Sequence, residues 1–110
     1  MIDWAKVRML RHEVGEEDFS EVIEIFLEEA TEITDKLRNA QDPRTLGEDL
    51  HALKGSALNL GLGPFAEMCQ AGETRAAQGR AGDVATAPIL ECYEESRRVL
   101  LAGLENGLGR

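Results

Sequence analysis

Apolar residues recur every three or four positions along most of the chain, and charged residues fill the positions between them. This is the period of helices that bury one face and expose the other. The longest such run extends from Glu16 to Asn39 and predicts a long amphipathic helix. Its predicted buried face consists of Phe19, Val22, Ile23, Phe26, Leu27, Ala30, Ile33, Thr34 and Leu37.

Acidic N-cap residues, prolines and glycines divide the rest of the chain into four further helices. Proline is favoured in the first turn of a helix, and glycine commonly ends one. Pro88 either kinks the last helix or displaces its start. The predicted helices, in order, are residues 3–14 after the N-cap Asp3, residues 16–39, Asp42–Pro43 to about Leu60, Pro64 to Gly79, and a last helix opened by Gly82–Asp83.

No segment alternates polar and apolar residues as a strand would, and no internal repeat is present. Short loops between long helices impose antiparallel neighbours. The sequence therefore predicts an all-α fold, an antiparallel up-down-up-down four-helix bundle with a short additional N-terminal helix. Its 110 residues are enough for a single domain with one core. The tail from Gly103 contains three glycines and is expected to fray.

The net charge of −9 argues against several functions. No basic stripe is present to neutralise nucleic-acid phosphates, and the charge disfavours an anionic membrane surface. No apolar run approaches the roughly 20 residues needed to span a bilayer, and no leader-like segment opens the chain. The carboxylates of residues 16–39 lack a converging histidine, so they predict a solvated face and no metal site. Cys69 and Cys92 lack a C-x-x-C spacing, and we expect reduced core thiols in a cytoplasmic protein.

The third predicted helix carries an exposed histidine. Its buried stripe points about 140° away from His51, which therefore faces water. Gly47 and Gly55 lie one turn before and one turn after this histidine, and each costs the helix about 1 kcal/mol relative to alanine. We infer that another macromolecule must come close to His51. The buried stripe consists of Leu46, Leu50, Leu53, Ala57 and Leu60, and the helical neighbours of His51 are Gly47, Lys54, Gly55 and Leu58.

The segment from His51 to Ala57, followed by Asn59-Leu60-Gly61, closely resembles the H-x-L-K-G-S-x-x-x-L-G signature of histidine-containing phosphotransfer (HPt) domains. The resemblance extends over nearly the whole chain and includes Ala66-Glu67-Met68-Cys69 and Glu73. One departure is Gly72, where similar sequences usually carry a large apolar residue; it concerns packing and leaves the chemistry unaffected.

The resemblance implies that His51 carries a phosphoryl group reversibly between the aspartates of receiver domains in a two-component phosphorelay. Lys54 would stabilise the charge of the phosphoryl group, and Gly47, Gly55, Leu58 and, more weakly, Ser56 would form the partner-docking surface. The expected partner is a response-regulator receiver domain, and a hybrid histidine kinase is a further candidate. By resemblance the receiver supplies Mg²⁺, so we expect no cofactor in this chain. The protein is expected to be a monomeric carrier. It should lack kinase activity of its own, because no glycine-rich nucleotide-binding loop is present.

Two other functions remain open at this point. A chemotaxis-type histidine kinase contains a phosphorylated module with this fold and motif; the end of the chain at residue 110, without a linker, favours a free-standing carrier. A helical adaptor with an incidental His51 is the other alternative. The dimerising hairpin of ordinary sensor kinases fits less well, because its motif places an acidic residue after the histidine and a proline soon after, where this chain has Ala52 and Ser56.

Overall fold

A computed structural model describes all 110 residues, and the fold is an all-α bundle, as predicted. Its elements follow one another through short connections. They are α1 (Trp4–Val14), α2 (Glu16–Asn39), α3 (Leu46–Asn59), α4 (Gly63–Ala77), a 3₁₀ turn (Ala81–Asp83) and α5 (Thr86–Glu105). None of these helices is both long and apolar enough to cross a membrane.

The predicted bounds of α1 and α2 agree with the structure. The Asp3 side chain accepts a hydrogen bond from the Lys6 amide at 3.2 Å and so caps α1. Gly15 alone separates α1 from α2, with a φ of 86° that favours glycine. The chain therefore turns sharply there, and α1 packs back against α2.

One hydrophobic cluster of 20 buried residues holds the helices together. The predicted stripe of α3 lies within it, and its leucines and Ala57 are almost completely buried. Phe65 of α4 and Tyr93 of α5 meet with ring centroids 5.4 Å apart. The Tyr93 hydroxyl also donates to the Leu27 carbonyl at 3.3 Å, which satisfies its polar end inside the core. The core of the bundle thus fixes which side of α3 remains outside.

Helix α3 begins at Leu46, and the prediction that Asp42–Pro43 opens it was wrong. Asp42 instead accepts from the Arg44 amide through its side chain at 2.9 Å, and residues 43–45 form a separate turn. Asp side chains favour such local turns over helix continuation. The true start of α3 is tied to α2, because the Lys36 ammonium lies 2.9 Å from Asp49 and 3.0 Å from the Thr45 hydroxyl.

Helix α5 begins at Thr86, so the prediction that Gly82–Asp83 opens it was also wrong. Residues 81–83 form a 3₁₀ turn that packs against α4. Pro88 lies in the first turn of α5, where its missing N–H removes no helical hydrogen bond. Of the two predicted effects of this proline, the displaced start is therefore the one that the structure confirms.

The C-terminal tail packs against α1, which overturns the prediction that it frays from Gly103. Helix α5 continues to Glu105, and Gly103 and Gly109 are both buried. The Trp4 ring lies directly on Gly103, where any side chain would collide with it. The Arg11 Nε also donates to the Gly109 carbonyl at 2.9 Å. Gly103 and Gly109 thus permit close contact with α1, whereas Gly107 has open space around it and a φ of 84° that favours glycine.

The unusual Gly72 marks a close approach of α4 to its neighbours, because the position of a side chain there is already occupied. A Cβ at this position would lie 2.7 Å from Leu50 Cδ1 and 3.3 Å from Val84 Cγ1. Both neighbouring side chains are buried. Leu50 of α3 and Val84 therefore occupy the space that a larger residue would need.

Both cysteines are unpaired thiols. Cys69 lies in the core, and burial raises the pKa of its thiol to about 12. Cys92 is only partly buried. The reactive thiolate form is therefore suppressed at Cys69.

Candidate functional site

His51 lies near the middle of α3 and points away from the core, with 67% of its side chain exposed. The buried stripe of α3 fixes this orientation, because rotating the helix would withdraw its leucines from the core. The expected exposure of His51 agrees with the structure. The histidine itself is left open to a partner.

The inner nitrogen of the imidazole is hydrogen-bonded to α4. His51 Nδ1 lies 2.7 Å from Glu73 Oε2, and because a carboxylate only accepts, Nδ1–H is the donor. The other Glu73 oxygen accepts from the Lys54 ammonium at 2.9 Å. The same ammonium donates to Gln70 Oε1 at 2.8 Å. One carboxylate of α4 thus bridges two side chains of α3, one turn apart.

The charges in this cluster reinforce one another. The Lys54 ammonium, and after it the His51 ring, holds the pKa of Glu73 below its ordinary value. Glu73 is therefore a carboxylate at neutral pH and fixes the histidine tautomer that carries its proton on Nδ1. The lone pair is then on Nε2. Because Nδ1 faces α4, Nε2 is the nitrogen available to an incoming electrophile.

The predicted partner-docking residues do not all lie on the surface. Gly55 is exposed, and nothing lies within 4 Å of the position that a Cβ would occupy there; Leu58 is one of the few exposed large apolar residues. Gly47 also contacts α4, since a Cβ there would lie 3.4 Å from Ala76 Cβ. Ser56 is only 7% exposed, so its assignment to the docking surface was wrong. It lies three residues after Leu53 and shares the buried side of α3.

A shallow open groove of about 470 Å³ leads from His51 toward the start of α3. Small residues form much of its lining, among them Gly47 and Ala76. Arg44 and Glu48 contribute charged side chains, and His51 and Glu73 also line it. The complete lining is Pro43, Arg44, Gly47, Glu48, His51, Glu73, Ala76 and Ala77.

The family model described as "Hpt domain" matches residues 21–107. The chain belongs to the Hpt domain family. The match contains all of α3, α4 and α5 and most of α2, whereas α1 lies outside it. Hpt domains are histidine phosphotransfer modules of phosphorelays, and in general they interact with the receiver domains of response regulators. No curated protein and no solved structure matches this chain significantly.

Glu73 and Gln70 are parts of this Hpt site whose contacts sequence reasoning missed. Glu73 was recognised only as part of the resemblance, without a role. A signal was present, because an acidic residue directly after the buried Gly72 must lie at the edge of the α3–α4 contact. An acid at that edge is a natural partner for the cation of Lys54 and for a histidine. Which atoms meet depends on how α3 and α4 pack.

No three His, Cys, Asp or Glu side chains converge in the structure in a way that could hold a metal ion. Beside His51, the Glu73 carboxylate is instead hydrogen-bonded to the histidine and to Lys54. The geometry of this Hpt site provides one exposed nucleophilic nitrogen, backed by a carboxylate.

Proposed function

We propose that His51 is the phosphoryl-carrying residue of this Hpt domain and that its Nε2 exchanges the group with a receiver aspartyl phosphate. The observation that carries the proposal is the hydrogen bond from Nδ1 to Glu73, since it leaves the lone pair on the outward nitrogen. Membership of the Hpt domain family supports the same reaction class.

The proposed step balances in atoms and in charge. Nε2 attacks the phosphorus of the aspartyl phosphate, the N–P bond forms, and the O–P bond to the aspartate breaks. The leaving group is the free aspartate carboxylate. Nδ1 keeps its proton, so the phosphorylated ring bears a positive charge that it did not have before. The reverse attack by the carboxylate returns the phosphoryl group and the neutral ring.

Glu73 supports the step by stabilising the charge that develops on the ring. Its carboxylate is already 2.7 Å from Nδ1 before reaction, so little reorganisation is needed. It touches the imidazole on the side opposite to the phosphoryl group. We therefore assign Glu73 as a positioning residue that fixes the tautomer and favours the phosphorylated ring.

For Lys54 we propose first a positioning role through Glu73. Its ammonium is bonded to both Glu73 and Gln70, and it is only partly exposed. Direct stabilisation of the phosphoryl group, the role expected from the position of Lys54 one turn after His51, requires the ammonium to leave one of these acceptors. Either role predicts that removing the cation slows transfer without abolishing it.

The receiver is proposed to dock on the outer face of α3, defined here as Gly47, His51, Gly55 and Leu58. The glycines leave room beside the histidine, and Leu58 offers an apolar contact. We also propose that Mg²⁺ enters with the receiver, as the resemblance implies.

The test uses the two histidines of the chain, of which His12 is the matched control. The wild type, His51→Gln and His12→Gln are incubated with phosphoramidate, and bound phosphate is measured by mass spectrometry before and after acid treatment. We expect an acid-labile phosphate on the wild type and on His12→Gln, and none on His51→Gln. An unmodified wild type, or label that persists in His51→Gln, contradicts the proposal.

A further inference from the structure

The cation nearest to His51 in sequence is already engaged. Lys54 donates to two acceptors on α4, and Glu73 holds it beside the inner nitrogen of the imidazole. Nε2 is the other ring nitrogen and is directed away from that cluster. A phosphoryl group on Nε2 therefore projects away from the contacts that hold the Lys54 ammonium.

A second cation, Arg44, lies along the groove beside His51. Arg44 and His51 both line it, although Arg44 lies in the turn that precedes α3. Side chains of an α-helix lean toward its N-terminus, so His51 leans over Gly47 toward that turn. Gly47 has no side chain to block the space between them. The groove is thus open from the imidazole to the guanidinium.

Arg44 can exchange its present contact for a new one. Its side chain is 89% exposed and pairs with Asp42, two residues away, through Nη2 at 3.1 Å and Nε at 3.2 Å. The pair has two hydrogen bonds but lies open to solvent, so a more highly charged anion can compete for the guanidinium. A phosphoryl group carries more negative charge than the Asp42 carboxylate, and its oxygens match the geometry of the guanidinium fork. Glu48 and Glu73 are the opposing charges along the groove, and Glu73 is already paired with Lys54.

We propose that Arg44 binds the phosphoryl group that His51 carries, across the groove over Gly47. The inference rests on the proposed function of His51. It adds a phosphoryl-binding residue that precedes α3 and lies outside the segment from His51 to Gly61. It also explains why a groove lined by small residues, with a cation at its far side, adjoins the histidine.

The test measures phosphorylation by phosphoramidate alone, in which the N–P bond of the reagent breaks and ammonia leaves. Because no receiver is present, partner docking cannot contribute. We expect Arg44→Gln to lower the rate by about threefold to fivefold, the size of one exposed ion pair. Arg44→Lys should restore part of the rate. Glu48→Gln, a control in the same groove, should react at least as fast as the wild type.

A second readout reports on the contact itself. The ³¹P resonance of phosphorylated His51 is followed against pH to locate the last ionisation of the phosphoryl group. A nearby cation lowers that pKa, so Arg44→Gln should raise it and Arg44→Lys should not. Arg75→Gln, which removes an exposed cation on α4, should leave it unchanged.

The outcomes separate the two proposals. If Arg44→Gln matches the wild type in both the phosphoramidate rate and the ³¹P titration, Arg44 does not bind the phosphoryl group. The inference is equally overturned if only transfer from a receiver slows, because Arg44 then contacts the partner, or if Glu48→Gln slows the reaction as much. A wild type that takes no phosphate on His51 at all instead refutes the proposed function.

Discussion

The two sides of α3 differ in what an added atom would meet. On the inner side, Leu50 packs so closely against Gly72 that a single methyl group there would lie 2.7 Å from its side chain. On the outer side, nothing lies within 4 Å of the position that a methyl group at Gly55 would occupy. Glycine therefore serves opposite purposes at these two positions. Gly72 admits a neighbour from within the chain, and Gly55 leaves room for a molecule outside it.

This contrast separates stability from function along one helix. The inner side is filled, so changes there should alter the free energy of unfolding and leave transfer to the folded protein unaffected. The outer side is open, so changes there should alter transfer at little cost to the fold. Glu73 of α4 links the two sides, because it lies at the edge of the α3–α4 contact and is hydrogen-bonded to His51 on the outer side of α3.

Glu73→Gln should have the largest effect on transfer among these variants. The amide keeps the shape of the side chain but loses the charge that stabilises the phosphorylated ring. We expect the single-turnover rate to fall by about tenfold, as for the loss of one charge-assisted hydrogen bond. Glu67→Gln, on the exposed face of α4, is the control and should transfer at the wild-type rate. Equal rates for the two variants would remove Glu73 from the proposed mechanism.

Gly72→Ala should destabilise the fold. Overpacking against Leu50 and Val84 costs about 1–3 kcal/mol, and the better helix propensity of alanine returns about 1 kcal/mol. The expected net loss is therefore about 1 kcal/mol, measured by urea unfolding. A rise in the melting temperature would show that the neighbours move aside, and it would contradict the close packing seen around Gly72.

Gly55→Ala should do the reverse. Helix propensity alone should stabilise the domain by up to about 1 kcal/mol, because the new methyl group meets nothing. Transfer from a receiver should nevertheless slow, and more so for Gly55→Gln, since small misplacement of reacting groups is costly. Phosphorylation by phosphoramidate should be unchanged in both variants. A Gly55→Gln variant that receives phosphate from its receiver as fast as the wild type would show that this glycine does not serve partner access.

The pH dependence of stability should show the smallest effect. The pKa of Glu73 is lowered in the folded protein, chiefly by Lys54, so the folded state favours the carboxylate more than the unfolded state does. Its stabilising contribution is present above the unfolded pKa and is lost as the pH falls through the lowered folded value. Unfolding of the wild type should therefore lose stability below about pH 5 more steeply than that of Glu73→Gln. Parallel curves would mean that the Lys54–Glu73 pair contributes nothing to stability.

The inner and outer sides of α3 could be predicted from the sequence because both follow from one helical period. That period is local, and it determined the exposure of His51 as well as the burial of Leu50. The bond from His51 to Glu73 could not be predicted in this way, because it depends on the relative rotation of α3 and α4. The same limit applies to the tail, where Trp4 covers Gly103 across most of the length of the chain.

Competition between two local hydrogen-bonding patterns explains the error at the start of α3. Asp42 can cap a helix or close a turn, and only its hydrogen bond to the Arg44 amide decides between them. Ser56 was expected, weakly, at the docking surface, although its position three residues after Leu53 places it on the buried side of α3.

The central claim is that His51 exchanges a phosphoryl group with a receiver aspartate. The most direct measurement follows ³²P in a single turnover from a phosphorylated receiver to this domain, and then from the isolated phosphorylated domain back to an unlabelled receiver. We predict that label moves in both directions through wild-type His51 and that His51→Gln takes up none. Label that leaves the receiver only as inorganic phosphate, or that reaches His51→Gln, would contradict the claim.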